Sequence, residues 1–256
     1  SISKTLPKNI GTVIIKHTNP CGVSIKKNII NSYKSALACD PTSAFGGIVS
    51  CNFKITKNLA IELNKLFFEV IVANNFEINA LKILKKKKNL RLIDASNYSL
   101  KDSLRVISSN GDMLIQSEDF KKFSIKDFKV VSKEKPSLTQ MENLIFAFNV
   151  CRYVKSNAIV LAADNTTVGI GSGQPSRVDS CQIAISKMKK FTKLNEGLVA
   201  ASDAFFPFVD GIEKLIQSGV QAIVQPSGSI KDKDIIKFAN KTNTVLVFSK
   251  TRHFRH

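Results

Sequence analysis

The apolar run Thr12-Val-Ile-Ile15, followed at once by Lys16-His-Thr-Asn-Pro-Cys-Gly22, decides how the fold is read. A short β-branched run broken by polar residues, Asn-Pro and Gly has the pattern of a buried strand delivering side chains into a loop at its carboxyl end. In open α/β sheets ligands bind at those ends. Lys16 and His17 then offer, side by side, a proton donor and a group that titrates near neutral pH. Taken alone, the pair reads more simply as a solvated lysine and a histidine making one structural hydrogen bond. Only the rest of the chain can give it chemistry.

Outward from this stretch the pattern is strand and helix in alternation, which predicts α/β layers. Helices are expected over Lys27–Ala38, Leu59–Phe67, Ile78–Leu84, Cys181–Met188, Gly211–Ser218 and Lys231–Asn240, and another after the Ser137/Gln140 capping box, with Met141, Leu144, Ile145 and Phe148 as its apolar face. Strands are expected at Ile48–Ser50, Val70–Ala73, Leu90–Ile93, Ala158–Ala162, Leu198–Ala201, Ala222–Val224 and Val245–Phe248. Asn110-Gly111 between two apolar runs predicts a hairpin. The polar stretch Glu118–Lys135, closed by Pro136, reads as a linker between two halves, 1–135 and 136–256.

Several loops at strand ends have the composition of sites. Asp40-Pro-Thr-Ser-Ala-Phe-Gly-Gly47 can let the backbone approach a ligand closely. Val168-Gly-Ile-Gly-Ser-Gly-Gln-Pro-Ser-Arg-Val-Asp179 can turn N–H groups and a guanidinium towards an anion or carbonyl. Its glycines alternate, unlike the dinucleotide fingerprint, and no Gly-Lys-Ser/Thr follows as in a P-loop. In Ser202-Asp-Ala-Phe-Phe-Pro-Phe-Val-Asp210 aromatics stand between two carboxylates and could stack on a heterocycle, or form a hydrophobic knot. Gln225–Ser229 and the terminal Thr251-Arg-His-Phe-Arg-His256 also follow strands.

Composition narrows the classes. The 256 residues are 43% hydrophobic, enough for a real core, and carry a net charge of +18. Of 38 basic residues only Arg91, Arg105, Arg152, Arg177, Arg252 and Arg255 are arginines, and the lysines are scattered apart from Lys85–Lys88. General basicity therefore fits better than a nucleic-acid surface, and it would draw anionic substrates to a cleft. Five cysteines without C-x-x-C spacing argue against disulfides and structural zinc, and for a reducing compartment. No apolar run has spanning length and no signal peptide opens the chain, so a cytosolic location is expected.

Together the motifs KHTNPCG (Lys16–Gly22), CDPTSAFGG (Cys39–Gly47), VKSNAIVLA (Val154–Ala162), VGIGSGQPSRVDS (Val168–Ser180), ASDAFFPF (Ala201–Phe208), QPSGS (Gln225–Ser229) and the terminal RHFRH resemble, in order, the AICAR transformylase domain of bifunctional purine biosynthesis enzymes. The resemblance implies two cytidine-deaminase-like three-layer α/β/α units with mixed sheets and no zinc. It implies transfer of a formyl group from 10-formyltetrahydrofolate to the 5-amino group of AICAR, at a site completed across a homodimer.

Carried over by position, Lys16, His17 and Asn157 would be catalytic. Gly46, Glu69, Phe205 and Arg252 would bind AICAR, and Arg177, Val178, Asp210 and Ser229 would bind the folate. A monovalent cation near Asp203 is the one metal the resemblance leaves open. A zinc deaminase is disfavoured, because His17-Thr-Asn lacks the glutamate of H-x-E and Cys21 has no C-x-x-C partner.

The chain begins with Ser1, just before the first motif, without the family's upstream Arg-Tyr-Gly-x-Asn-Pro-His-Gln segment or its IMP cyclohydrolase domain. The expectation is the carboxyl-terminal part of a longer enzyme. The rivals are an inactive or incomplete fragment and a basic nucleic-acid-binding protein.

Overall fold

The computed structural model describes residues 1–99, 104–192 and 197–255. Helix α1 (Ile2–Thr5) precedes a hairpin of β1 (Gly11–Lys16) and β2 (Asn19–Ile25). Then follow α2 (Ile29–Cys39), the short α3 (Pro41–Ala44), β3 (Gly47–Cys51), α4 (Lys57–Asn64), β4 (Phe68–Ala73), α5 (Ile78–Leu84) and β5 (Arg91–Asp94). β6 (Leu104–Ser109) and β7 (Asp112–Ser117) form a separate hairpin through the expected Asn110-Gly111 turn, both residues having positive φ. A 3-10 turn leads to β8 (Phe128–Val130).

The second half holds α6 (Leu138–Cys151), a hairpin of β9 (Ile159–Ala163) and β10 (Thr166–Gly171), α7 (Arg177–Phe191), β11 (Val199–Ser202), α8 (Asp210–Gln217), β12 (Ala222–Pro226), α9 (Asp232–Lys241) and β13 (Val245–Ser249).

One mixed sheet runs β5-β4-β3-β1-β2-β10-β9-β11-β12-β13-β8. Read outward from the β2/β10 seam, the halves are copies: an antiparallel hairpin, then an antiparallel neighbour, then two strands added in parallel. The register repeats too, since Asn52 N donates to Gly11 O at 3.1 Å as Asp203 N does to Ala158 O at 3.3 Å. At the seam Ser24 and Thr166 pair antiparallel, their hydroxyls 2.8 Å apart.

Each hairpin lies against its helix at a glycine. A Cβ on Gly22 would fall 1.8 Å from the Ala36 carbonyl oxygen of α2, and one on Gly169 2.2 Å from that of Ala184 in α7. Neither position has room for any side chain. α6, started by the Ser137/Gln140 capping box, covers one face of the sheet, and its Leu144, Ala147 and Phe148 share a core with Val13 and Val23 of the first hairpin and Val160, Ala201 and Val224 of the second half. The other face holds a separate core in each half.

Three stretches differ from expectation. Lys16–Gly22 is not a loop: only His17 and Thr18 turn, and the chain returns at once as β2. A register shift between Ile14 and Ile15 leaves Cys21 opposite no residue of β1, and a bulge is where a strand tolerates Pro20. Val168–Gly171, read as part of a turn, is likewise paired strand. The stretch read as a linker carries β8, which pairs with β13, and packs Phe123 and Phe128 against Phe148 of α6.

Candidate active site

At the tip of the first hairpin His17 and Thr18 both occupy the left-handed region, with φ of 49° and 64°. His, like Asn and Asp, visits that region more readily than most residues, but Thr18 is a genuine outlier, because its branched Cβ crowds the backbone. Such outliers concentrate at functional sites. His17 is exposed, while Lys16 is half-buried and donates from Nζ to the Phe45 carbonyl at 2.7 Å. Next comes Gly46, at φ 69°, whose N–H donates to Phe67 O at 2.9 Å. A Cβ there would stand 4.0 Å from Lys16 Nζ. Glu69, at the start of β4, is exposed. Cys21 is no nucleophile: burial pushes its thiol up to about 11.

A second group lines a cleft of about 490 Å³ at the carboxyl ends of the second half's strands. Asn157, Arg177, Val178, Phe205, Asp210 and Arg252 all face it, with Phe208 and Phe254. Arg177, in the first turn of α7, is the hub. Its Nη2 donates to Asn157 Oδ1 at 2.6 Å and its Nη1 to Ser202 Oγ at 2.9 Å, and it forms an ion pair with the fully buried Asp203. Asn157 Nδ2 donates to the Gln174 and Pro175 carbonyls at 2.8 and 2.9 Å. Both ends of that amide are therefore fixed, which sets its orientation towards the cleft.

The aromatic run divides. Phe206 is core, Phe208 is exposed, and Phe205 lies under the Arg252 guanidinium at 4.9 Å. Of the two carboxylates flanking it, Asp210 reaches the cleft, whereas Asp203 is occupied by Arg177 and Ser156. Ser229 is not among the residues lining the cleft; its neighbour Gly228 comes close to the cleft, since a Cβ there would be 3.1 Å from Arg252 Nη2.

All the expected site residues lie along one edge of the sheet. The antiparallel seam sets the tip of the first hairpin beside the second half's carboxyl ends, and Lys155 N donates to Asn19 Oδ1 there at 2.9 Å. They do not form one cluster, however. From β3, which Gly46 precedes, to β13, which Arg252 follows, the edge spans roughly 34 Å at about 4.8 Å per strand step. Within one chain there are two groups: Lys16, His17, Gly46 and Glu69, and the residues around the Arg177 cleft.

Among the described residues no three His, Cys, Asp or Glu side chains converge to hold a metal. No helix among them is long and apolar enough to cross a membrane.

The sequence profile described as AICARFT/IMPCHase bienzyme matches residues 2–187, across the hairpin tip, the seam and the start of the cleft. The chain belongs to this family. It is 44% identical over 252 residues to the bifunctional purine biosynthesis protein PurH of Rhodospirillum rubrum, covering 95% of this chain and 48% of that protein. It is 46% identical over 245 residues to PurH of Caldicellulosiruptor bescii, covering 95% and 47%, and 41% identical over 256 residues to PurH of Leptospira biflexa, covering 100% and 50%. The chain thus spans about half the length of the curated relatives it matches.

Within this AICARFT/IMPCHase chain, the supporting network was the part that sequence reasoning missed. Asp203, one of the two carboxylates flanking the aromatic run, is the buried counter-ion of Arg177. Ser156 and Ser202 complete that network, and the order Ser156-Asn157 before a strand was its one sequence signal. His253 and Asp119, paired behind the cleft, carried no recognisable signal, because Asp119 stood in a stretch read as linker. Of the terminal RHFRH, His256 lies outside the described residues.

Proposed function

We propose that the chain carries the AICAR formyltransferase activity of its family, moving a formyl group from 10-formyltetrahydrofolate to the 5-amino group of AICAR. The observation that supports it most is the Arg177 cleft, where an oriented amide, an aromatic face, a guanidinium and a carboxylate converge. That set suits a planar heterocycle with a carboxamide and an anionic tail.

In this reading Phe205 and Arg252 hold AICAR, with Gly46 and Glu69, and Asn157, both of whose N–H groups are taken, aligns the carboxamide by accepting from it at Oδ1. Arg177, Val178, Asp210 and Ser229 receive the folate. The amine of AICAR is conjugated with its ring and is a poor nucleophile. As its nitrogen attacks the formyl carbon, His17 takes the proton. Lys16 stabilises the oxyanion that forms, or protonates the folate N10 as the C–N bond to it breaks and the carbonyl is restored. The products are formyl-AICAR and tetrahydrofolate. A cation beside Asp203 would compete with the Arg177 guanidinium already paired there, so no step is assigned to one.

Gly46 and Arg252, both assigned to AICAR in this reading, stand roughly 34 Å apart along the edge, which supports a homodimer in which the first group of one protomer meets the cleft of its partner. The separate β6–β7 hairpin, with Leu104, Met113, Leu114 and Ile115 exposed, supports it as well. Also within the reading are the two deaminase-like units, 1–135 and 136–256, whose repeated topology supports them, a cytosolic location, and, for a longer parent, the companion IMP cyclohydrolase activity.

The test is to mix the chain, and the full-length parent if it is longer, with AICAR and 10-formyltetrahydrofolate and follow tetrahydrofolate release. Turnover is expected in the parent. A folded parent without turnover would overturn the reading.

A further inference from the structure

The last residues of the chain form one wall of the cleft. Arg252 lies over Phe205, and Phe254, 52% exposed, lines the same space. Between them the His253 side chain points the other way and is buried. Its ring stacks at 4.5 Å on Phe148 of α6 and meets Phe123 edge-on at 5.5 Å. Its Nδ1 is 2.6 Å from Asp119 Oδ2.

Asp119 is held in turn by Arg152, whose Nη1 donates to its carbonyl at 3.1 Å and to Oδ1 at 3.4 Å. The Arg152 guanidinium lies over Phe123 at 5.0 Å. Burial disfavours the charged Asp119 carboxyl, but the His253 bond and the Arg152 charge outweigh it and hold the group below the usual carboxylate range. An ionised carboxylate only accepts, so Nδ1 carries the proton.

The backbone of this terminal strap has its own ties. His253 N donates to Asp203 O at 2.9 Å, and Ser156 N donates to Arg255 O at 2.9 Å. Arg255 N also donates to Ser156 Oγ at 3.4 Å, so the backbone of the strap is held beside Asn157, but none of these bonds involves a side chain of the strap. The His253 side chain supplies an anchor that does. With His253 locked between Phe123 and Phe148, its two neighbours are turned outward, into the cleft.

We propose that His253 and Asp119 are positioning residues: their buried hydrogen bond latches the terminal strap so that Arg252 and Phe254 form the substrate-facing wall. The inference deepens the reading of the cleft as an AICAR site and rests on it for its effect on affinity. It also gives a role to the stretch before α6, which supplies Asp119 and Phe123 to the latch.

The chain has no tryptophan, so Phe254→Trp in the full chain is a reporter on the strap. In that background His253→Ala, His253→Asn and Asp119→Asn are compared by emission maximum, by the rate of tryptic cleavage after Arg252, and by AICAR titration. His253→Ala is expected to red-shift the emission, speed cleavage and weaken AICAR about tenfold, the loss of one hydrogen bond to a charged group. Asp119→Asn should do the same to a smaller degree. His253→Asn, which keeps a donor for Asp119, should restore part of each, as a role in packing alone would not.

Should His253→Ala fail to fold, Asp119→Asn decides. Unchanged emission, cleavage and affinity in the folded variants would overturn the latch. If the parent binds no AICAR, the functional reading fails instead, and emission and cleavage still decide the latch.

Discussion

The two hairpins occupy equivalent places in a duplicated fold and end in different turns. The second turns through Asp164 and Asn165, at φ 48° and 52°, residue types that tolerate the left-handed region. The first turns through His17, a type that also tolerates it, and the β-branched Thr18, which does not. Both turns satisfy the same geometry, so Thr18 is not there for the turn. The carboxyl ends of the two halves differ in the same way. In the first half Asn52 is occupied by the Ser3, Leu6 and Pro7 carbonyls, and Lys4 reaches Asn74 and Ala95, so the N-terminal segment fills that end. In the second half the equivalent Asp203 anchors Arg177, and the space beyond stays open as the cleft. One copy is filled at that end while the other is open, and the filled copy contributes its hairpin tip to the edge on which the cleft lies.

The sharpest way to break this comparison is at the turns themselves. His17→Ala is expected to lower tetrahydrofolate release in the parent by about 10²–10⁴-fold, the usual contribution of a general base, and Asp164→Ala to leave it within about twofold. Equal losses would remove the asymmetry. Next in size, Gly22→Ala and Gly169→Ala should each cost about 3 kcal/mol or more in urea unfolding, because the added Cβ meets a helix carbonyl and neither backbone can withdraw. A benign substitution at one of them would show that the halves are not packed alike.

Asp40, which caps α3 through Ser43 and pairs with Lys187 of α7 at 2.7 Å, ties the two halves together. Burial opposes its charge, but the Lys187 and Ser43 bonds prevail and its carboxyl lies below the ordinary value. A depressed folded-state value contributes stability above the unfolded value of about 3.9 and loses it as the pH falls through the folded one. Asp40→Ala should therefore cost about 2 kcal/mol at pH 7, and the gap to the parent in urea midpoint should narrow on acidification below about pH 4. A gap independent of pH would show that the pair contributes nothing through charge.

The smallest effect sharpens the comparison furthest. Replacing His17-Thr18 by Asn-Gly should stabilise the fold by about 1 kcal/mol, chiefly by relieving the left-handed Thr18, and the same pair at 164–165 should change it by less than about 0.5 kcal/mol.

The sequence by itself determined the elements and the chemistry. Period-2 and helical patterns placed most strands and helices near their true positions, because those periods come from local backbone geometry, but β2, β8 and β10 were read as loop or linker. The ordered motifs pointed to the family, and the residues proposed for the site are carried over from them. The tertiary structure decided what local pattern cannot carry. That Lys16–Gly22 turns back as a hairpin depends on Gly22 lying against Ala36, a contact made across the fold. That Asp203 is a counter-ion and Asp210 a cleft residue depends on where Arg177 comes to rest, 26 positions from one and 33 from the other. That a stretch composed like a linker anchors the wall of the site depends on Asp119 meeting His253, 134 residues away. Charge and burial between distant residues are properties of the packed sheet, and the antiparallel seam at Ser24 and Thr166 brings both halves to one edge.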